Sequence, residues 1–424
     1  MDISQLTQFN PWWTEKKVPT PLLGSQKRPY FGLVKKNIEN KFIILLYGLR
    51  RVGKTTIIYQ IVKELLDKNI NPLSVLYFSF DEQAGGLKEV VGLYEEKIIK
   101  TKINSGKEKY FCFFDEIQKA KDWQNQIKIL YDTHPGLKIF ISGSSSLSLQ
   151  KQASESLAGR LIDILVKPLD FGEFLDWQNI KIDKKNPEIY QATAQPLLMD
   201  YLRKGGFPEI TFEKDNELIK TYLKNAILER ILYRDLPQEF GLKDIELLKT
   251  LIELFARHPG MIVNIDSLSR NLKRSKITIA NYIEYLKYAM LIREVRNLRP
   301  GFLTTSRKGK KIYPTTTALG FVFQDDFYDE ANLQHIAETA VANQLDAQYY
   351  YKNGFEVDFV QKTNNRILPI EVKYGKPDRN QLIKFQKKFK VKKSILVTKD
   401  YFQLNQNGID NLPLWFFLTQ NRWI

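Results

Sequence analysis

Residues 48–55 constrain this chain more than any others. Gly48-Leu49-Arg50-Arg51-Val52-Gly53-Lys54-Thr55 separates two glycines by four residues and follows the second with a lysine and a hydroxyl. A short apolar run, 42–47, precedes the octet and a helical pattern follows it. Glycines at these positions let the backbone turn tightly, so that successive N–H groups and the start of the next helix converge on one anion. Between a strand and a helix the spacing reads as a phosphate loop for ATP rather than as a plain glycine turn. Lys54 is then expected to reach the β- and γ-phosphates and Thr55 to offer its hydroxyl to Mg²⁺. The nucleotide cradle comprises Gly48, Leu49, Arg50, Arg51, Val52, Gly53, Lys54, Thr55 and Thr56.

A second signal lies downstream, where Phe111-Cys112-Phe113-Phe114 runs into Asp115-Glu116. Neither acid suits the interior of a buried strand, but both suit its mouth. There Asp115 can hold Mg²⁺ and Glu116 can orient or deprotonate an attacking water. Ile139-Phe140-Ile141 ends in Ser142-Gly143-Ser144-Ser145, which makes Ser142 a candidate γ-phosphate sensor, although serine and glycine clusters are also common in loops. Arg160, in Leu157-Ala158-Gly159-Arg160, is a candidate to neutralise transition-state charge in cis, or in a neighbouring subunit of a homo-oligomer. It is equally readable as a surface arginine.

The wider pattern sets the fold class. Runs 42–47, 74–80, 110–114 and 138–141 are short, apolar and rich in β-branched or aromatic residues, as buried parallel strands are, and helical patterns separate them. This predicts a three-layer α/β/α P-loop domain over 41–169, after a polar N-terminal arm over 1–40. Helix-period spacing over 170–260 predicts a helical connector or lid. Two helices around a basic turn, then a hairpin signal at Arg299-Pro300-Gly301, predict a winged helix over 261–325. There Arg270, Lys273, Arg274 and Lys276 face either DNA or a packing partner. The last stretch, 326–424, is again α/β.

That tail carries its own polar constellation. In Glu356-Val357-Asp358-Phe359-Val360, period-two alternation puts the two acids on one face, and Glu371 and Lys373 share a face in the next strand, 367–373. Glu338 lies on a helical pattern upstream. Glu338, Asp358, Glu371 and Lys373 can thus converge, and clustered carboxylates repel unless they share a cation. This predicts Mg²⁺ held by Asp358 and Glu371, with Lys373 positioning water for phosphodiester cleavage. A sheet edge with charged outer positions is the competing reading.

Composition narrows the partners. The formal net charge is +16, which favours a polyanionic partner such as DNA. Lysine and arginine crowd 373–393 in particular. Cys112 is the only cysteine and there are three histidines, so an internal disulfide and a Cys-rich zinc site are excluded and metals must be held by oxygen. No apolar run approaches the length needed to span a bilayer, and the first residues, MDISQLTQFN, lack the order of a secretion signal; a cytoplasmic protein is expected.

Taken together, GLRRVGKTT, FCFFDEIQKA with Trp123 after it, IFISGSSS, LAGR, KPLDFGEFL, GGFPE at 205–209, EVDFV and LPIEVK resemble a large prokaryotic AAA-type ATPase family. In that family a P-loop domain precedes a winged helix and a restriction-endonuclease-like, PD-(D/E)xK-type C-terminal domain. The resemblance implies Mg-ATP at Lys54, Thr55, Asp115 and Glu116, and a nuclease-type fold around Glu338, Asp358, Glu371 and Lys373. Relatives tend to carry an acid after the lysine-rich hairpin. Here that place holds Pro314-Thr315-Thr316-Thr317.

Overall fold

The computed structural model describes residues 2–81, 86–103, 108–143, 146–183, 185–299, 309–363 and 366–420. The chain divides into two compact units, 1–167 and 168–424.

The first unit is built on five parallel strands: β1 (Ile43–Tyr47), β2 (Val75–Ser79), β3 (Tyr110–Asp115), β4 (Leu137–Gly143) and β5 (Leu161–Leu165). They lie in the order β2-β3-β4-β1-β5, so β1 is an interior strand between central β4 and edge strand β5. Every residue of β1, β3 and β4 is buried, which is why these strands are apolar without alternation. Phe113 and Phe140 stack between neighbouring strands with centroids 4.3 Å apart. Each such ring, taken fully out of water, contributes roughly 2–3 kcal/mol. The sequence suggested four strands. The fifth, β5, escaped notice because it is a half-exposed edge with an aspartate at its centre, Asp163.

The N-terminal arm packs on the sheet. Helices Ile3–Phe9 and Trp12–Glu15 lie along β2, the edge strand, with Leu6 and Trp12 fully buried. The indoles of Trp12 and Trp13 both donate to the Val75 carbonyl, at 3.0 and 2.9 Å. Capping the open edge in this way satisfies backbone groups that would otherwise invite another strand.

The second unit opens with helices. Phe171–Trp177 carries a capping box from Asp170 and Glu173, the signal in the motif KPLDFGEFL. Gln191–Lys204 ends at Gly205, whose φ of +62° is the left-handed cap. Thr316 and Thr317 bond this helix end. Thr317 donates to the Leu202 carbonyl at 2.6 Å and Thr316 to the Gly205 carbonyl at 3.0 Å, satisfying carbonyls that a helix end leaves open. Helix Ile245–Arg257, read from the sequence as part of the connector, packs on helix Lys276–Tyr288.

A nine-stranded sheet completes this unit. Its strands are β6 (Met261–Val263), β7 (Ile292–Asn297), β8 (Lys310–Pro314), β9 (Tyr349–Lys352), β10 (Glu356–Thr363), β11 (Arg366–Lys373), β12 (Ser394–Thr398), β13 (Gln403–Gln406) and β14 (Ile409–Pro413). The order is β13-β14-β12-β11-β10-β9-β7-β8-β6. β7 and β8 are antiparallel neighbours, while Pro300 and Gly301 of the expected turn lie outside the described residues. β7 also pairs in parallel with β9, so the strands after Lys276–Tyr288 are continuous with the tail sheet. Helix Glu330–Gln344 packs against β11, and helix Asn380–Phe389 crosses between parallel β11 and β12. Tyr351, Val357, Leu382, Phe385 and Leu396 form the core there.

Candidate functional site

The glycines at both ends of the 48–55 loop are required by geometry. Gly48 has φ +148°, and a Cβ on it would lie 2.1 Å from the Val166 carbonyl oxygen. Gly53 has φ +93° and caps helix Lys54–Asp67. Between them Leu49 and Val52 are buried, Arg50 is buried near Asp81 at 4.0 Å, and Arg51 is exposed with a φ of +63°. Lys54 starts the helix, and its ammonium donates to the carbonyls of Gly48 and Leu49 at 3.0 and 2.8 Å. Thr55 and Thr56 occupy the same first turn.

The second signal meets this loop directly. The Thr55 hydroxyl donates to Asp115 Oδ2 at 2.6 Å, which joins the helix start to the end of β3. Asp115 Oδ1 accepts from the Ser142 hydroxyl and, at 3.0 Å, from the Glu116 amide. Burial pushes the Asp115 carboxyl above its ordinary range and adjacent Glu116 adds to this. The hydroxyls of Ser142 and Thr55, and the Lys54 charge, act the other way. Glu116 is itself buried, in a left-handed backbone conformation with φ +52°, and accepts from Gln118 at 2.6 Å. Strain of about 1–3 kcal/mol at a non-glycine residue of this kind is characteristic of working sites. A donor set of one hydroxyl and one carboxylate suits Mg²⁺, which takes its remaining ligands from phosphates and water. Lys54, Thr55, Asp115, Glu116 and Ser142 are therefore brought together, while Ser144 and Ser145 lie outside the described residues.

Arg160 is not brought to this site. β1 and β5 run parallel, with Ile43 opposite Leu161 and Tyr47 opposite Leu165. Arg160 precedes β5, so it stands where β1 begins, whereas the loop follows the other end of β1, about 16 Å away along the strand. Its guanidinium holds Asp132 at 3.0 and 3.2 Å.

The four tail residues do converge. The Asp358 amide donates to Glu371 at 3.2 Å and the Val372 amide to Asp358 at 3.0 Å. Lys373 pairs with Glu371 at 2.7 Å. Glu338 accepts from Gln334 at 2.8 Å and from Tyr313 at 3.4 Å. What the sequence did not suggest is Lys311. This residue of β8 is only 5 % exposed, and its ammonium lies 2.6 Å from Glu356 and 3.8 Å from Asp358. It places a buried positive charge beside these two acids. Among the described residues no group of three or more acid, histidine or cysteine side chains is arranged to hold a metal. Asp358 and Glu371, the two acids expected to hold Mg²⁺, lie beside Lys311 and Lys373 respectively. Burial, with Asp358 beside them, pushes Glu338 up to about 8 and Glu371 up to about 7. Burial alone would lower Lys311, but Asp358 and Glu356 hold it above the ordinary lysine value. The signal for Lys311 was its alternation with Tyr313 in Lys311-Ile312-Tyr313, masked by the basic run before it.

Residues 40–175 match the AAA domain family, and 195–322 and 331–417 match two domains of unknown function, DUF8612 and DUF4143. Uncharacterized protein MJ1544 of Methanocaldococcus jannaschii is 30% identical over 397 residues, spanning 89% of this chain and 86% of that protein. MJ1637 of the same organism is 30% identical over 445 residues, spanning 92% and 90%. Among solved structures, the Walker-type ATPase PABY2304 of Pyrococcus abyssi is 16% identical, covering 70% of this chain and 95% of that one, with a TM-score of 0.37 that is too low to carry an argument. Among the described residues no helix is long and apolar enough to cross a membrane.

Proposed function

Because the chain belongs to the family of the uncharacterized M. jannaschii proteins MJ1544 and MJ1637 and carries an AAA-type P-loop ATPase domain, we propose that it binds and hydrolyses ATP with Mg²⁺ at residues 48–56, Asp115, Glu116 and Ser142. The observation that carries this reading is the 2.6 Å contact of Thr55 with Asp115 beside the Lys54 helix start. Lys54 exchanges the Gly48 and Leu49 carbonyls for the β- and γ-phosphates. Thr55 and Asp115 would hold the ion, which would neutralise phosphate charge. Glu116 orients the attacking water and accepts its proton, and Ser142 keeps Asp115 in place while facing the γ-phosphate. Calorimetry with Mg-ATP, followed by phosphate release from wild type and Glu116→Gln, tests it. No heat with wild type, or equal turnover in both, overturns it.

For the second unit the proposal is a winged helix over 261–325 and a restriction-endonuclease-like fold over 326–424 that contacts DNA without cutting it. The α/β order from Glu330 to Thr398 and the exposed lysines 384, 387, 388, 390 and 392 support that reading, as does the net charge. Lys311 favours binding over cleavage, since a resident ammonium lies against Asp358. Incubation of plasmid with Mg²⁺ or Mn²⁺ tests this. No nicking is expected, whereas cleavage that disappears in Asp358→Ala restores the nuclease reading.

A further inference from the structure

We propose that Tyr77 is a positioning residue for Asp115 and that the N-terminal arm, through Asn10, fixes Tyr77 in that role. The inference rests on the reading of 48–56 as the Mg-ATP cradle. Tyr77 lies on β2, two residues before Ser79, which stands opposite Asp115 in the parallel register. Its ring is 3 % exposed and its hydroxyl donates to Asp115 Oδ2 at 3.0 Å. Packing alone would be served by phenylalanine there, as it is by Phe78 and Phe80. A buried phenol needs partners, and this one has the Asp115 carboxylate and the neighbouring Tyr59 hydroxyl. Three hydroxyls thus converge on Asp115, from Thr55, Tyr77 and Ser142. The Thr55 oxygen is the one assigned to the ion. Tyr77 and Ser142 remain to set the orientation of the carboxylate.

The arm holds the backbone of that same tyrosine. Asn10 is fully buried; its amide nitrogen donates to the Tyr77 carbonyl at 2.8 Å and its oxygen accepts from the Tyr77 amide at 2.7 Å. One side chain therefore makes the two bonds that a neighbouring strand would make. Phe9 meets the Tyr77 ring edge-on at 6.1 Å, and Tyr59 lies 4.8 Å from it. Trp12 packs on Tyr59 at 6.3 Å. The polar N-terminal arm thereby reaches the Asp115 carboxylate through one intermediary.

The test is Tyr77→Phe, which keeps the ring and removes the hydroxyl. Binding of a fluorescent ATP analogue is measured in EDTA and then across a Mg²⁺ titration. Affinity in EDTA is expected to stay within about twofold of wild type, while the Mg²⁺ needed for half-saturation rises about tenfold, the size expected for losing a hydrogen bond to a charged group. Asn10→Ala is expected to shift the Mg²⁺ requirement in the same direction. The double variant should be no worse than Tyr77→Phe, because both act through one contact. An unchanged Mg²⁺ requirement, or an equal loss of affinity in EDTA, overturns the proposal and leaves the ATP reading standing. Failure of the wild-type chain to bind the analogue overturns both.

Discussion

Lys311 and Asp358 lie 3.8 Å apart in the tail, an ammonium and a carboxylate that are both buried. The lysine comes from β8 and the acid from β10, with β7 and β9 between them in the sheet. Two distant strands thus bring opposite charges together in the tail.

That pairing predicts a large cost for Lys311→Met. Removing one partner of a buried pair leaves the other charge unpaired, typically at about 3–5 kcal/mol. Chemical denaturation should register a loss of that order in the second unit, partly restored by adding Glu356→Gln. A change below about 1 kcal/mol would mean that the lysine is dispensable.

The same cluster predicts a pH dependence. Glu338 and Glu371 hold protons more tightly in the folded chain, near 8 and 7, than the ordinary glutamate value of 4.5. A raised folded value contributes stability that is complete below pH 4.5 and is lost as pH rises through 7 to 8. Thermal unfolding of the second unit should accordingly fall in midpoint between pH 5 and 9. Glu338→Gln should flatten the upper part of that curve, and an identical slope in the variant would refute the assignment.

In the first unit, Lys54→Ala is expected to reduce ATP turnover about 100-fold or more, the scale for losing a preorganised charge at a developing anion. Phosphate release at saturating ATP reads the effect directly. Turnover within tenfold of wild type would remove Lys54 from the chemistry.

Arg160→Ala provides the contrast. Its guanidinium is paired with Asp132 at the end of the sheet away from the loop, and both side chains are partly exposed. A pair of this kind contributes about 0–1 kcal/mol. Turnover is expected to stay within about twofold in dilute protein, and a larger loss that grows with protein concentration would indicate use across subunits.

Thr317→Val tests the hydroxyl that bonds the end of helix Gln191–Lys204. Losing its bond to the Leu202 carbonyl should cost about 1 kcal/mol in unfolding experiments. No loss would show that water replaces the hydroxyl.

The loop from Gly48 to Thr55, the acids at 115 and 116 and the order of α/β segments were legible because each is a local pattern. Backbone turning, strand burial and helix starts depend on residues a few positions apart, so adjacency in the chain carries the information. Tyr77 and Asn10 were not legible. A tyrosine in a buried strand reads as core, and an asparagine between Phe9 and Pro11 reads as a turn; their bonds depend on which strand forms the sheet edge. Lys311 was hidden for a related reason, since a lysine in a basic run reads as solvated until pairing of β7 with β9 brings it over Asp358. Arg160 shows the converse, where a plausible local motif lost its proposed role in cis to the direction of a parallel strand. By itself the sequence determined the kinds of chemical group available and the local backbone that presents them. Only the tertiary structure decided which of those groups meet, because electrostatic and hydrogen-bond energies depend on distances of a few ångströms that sequence separation does not encode.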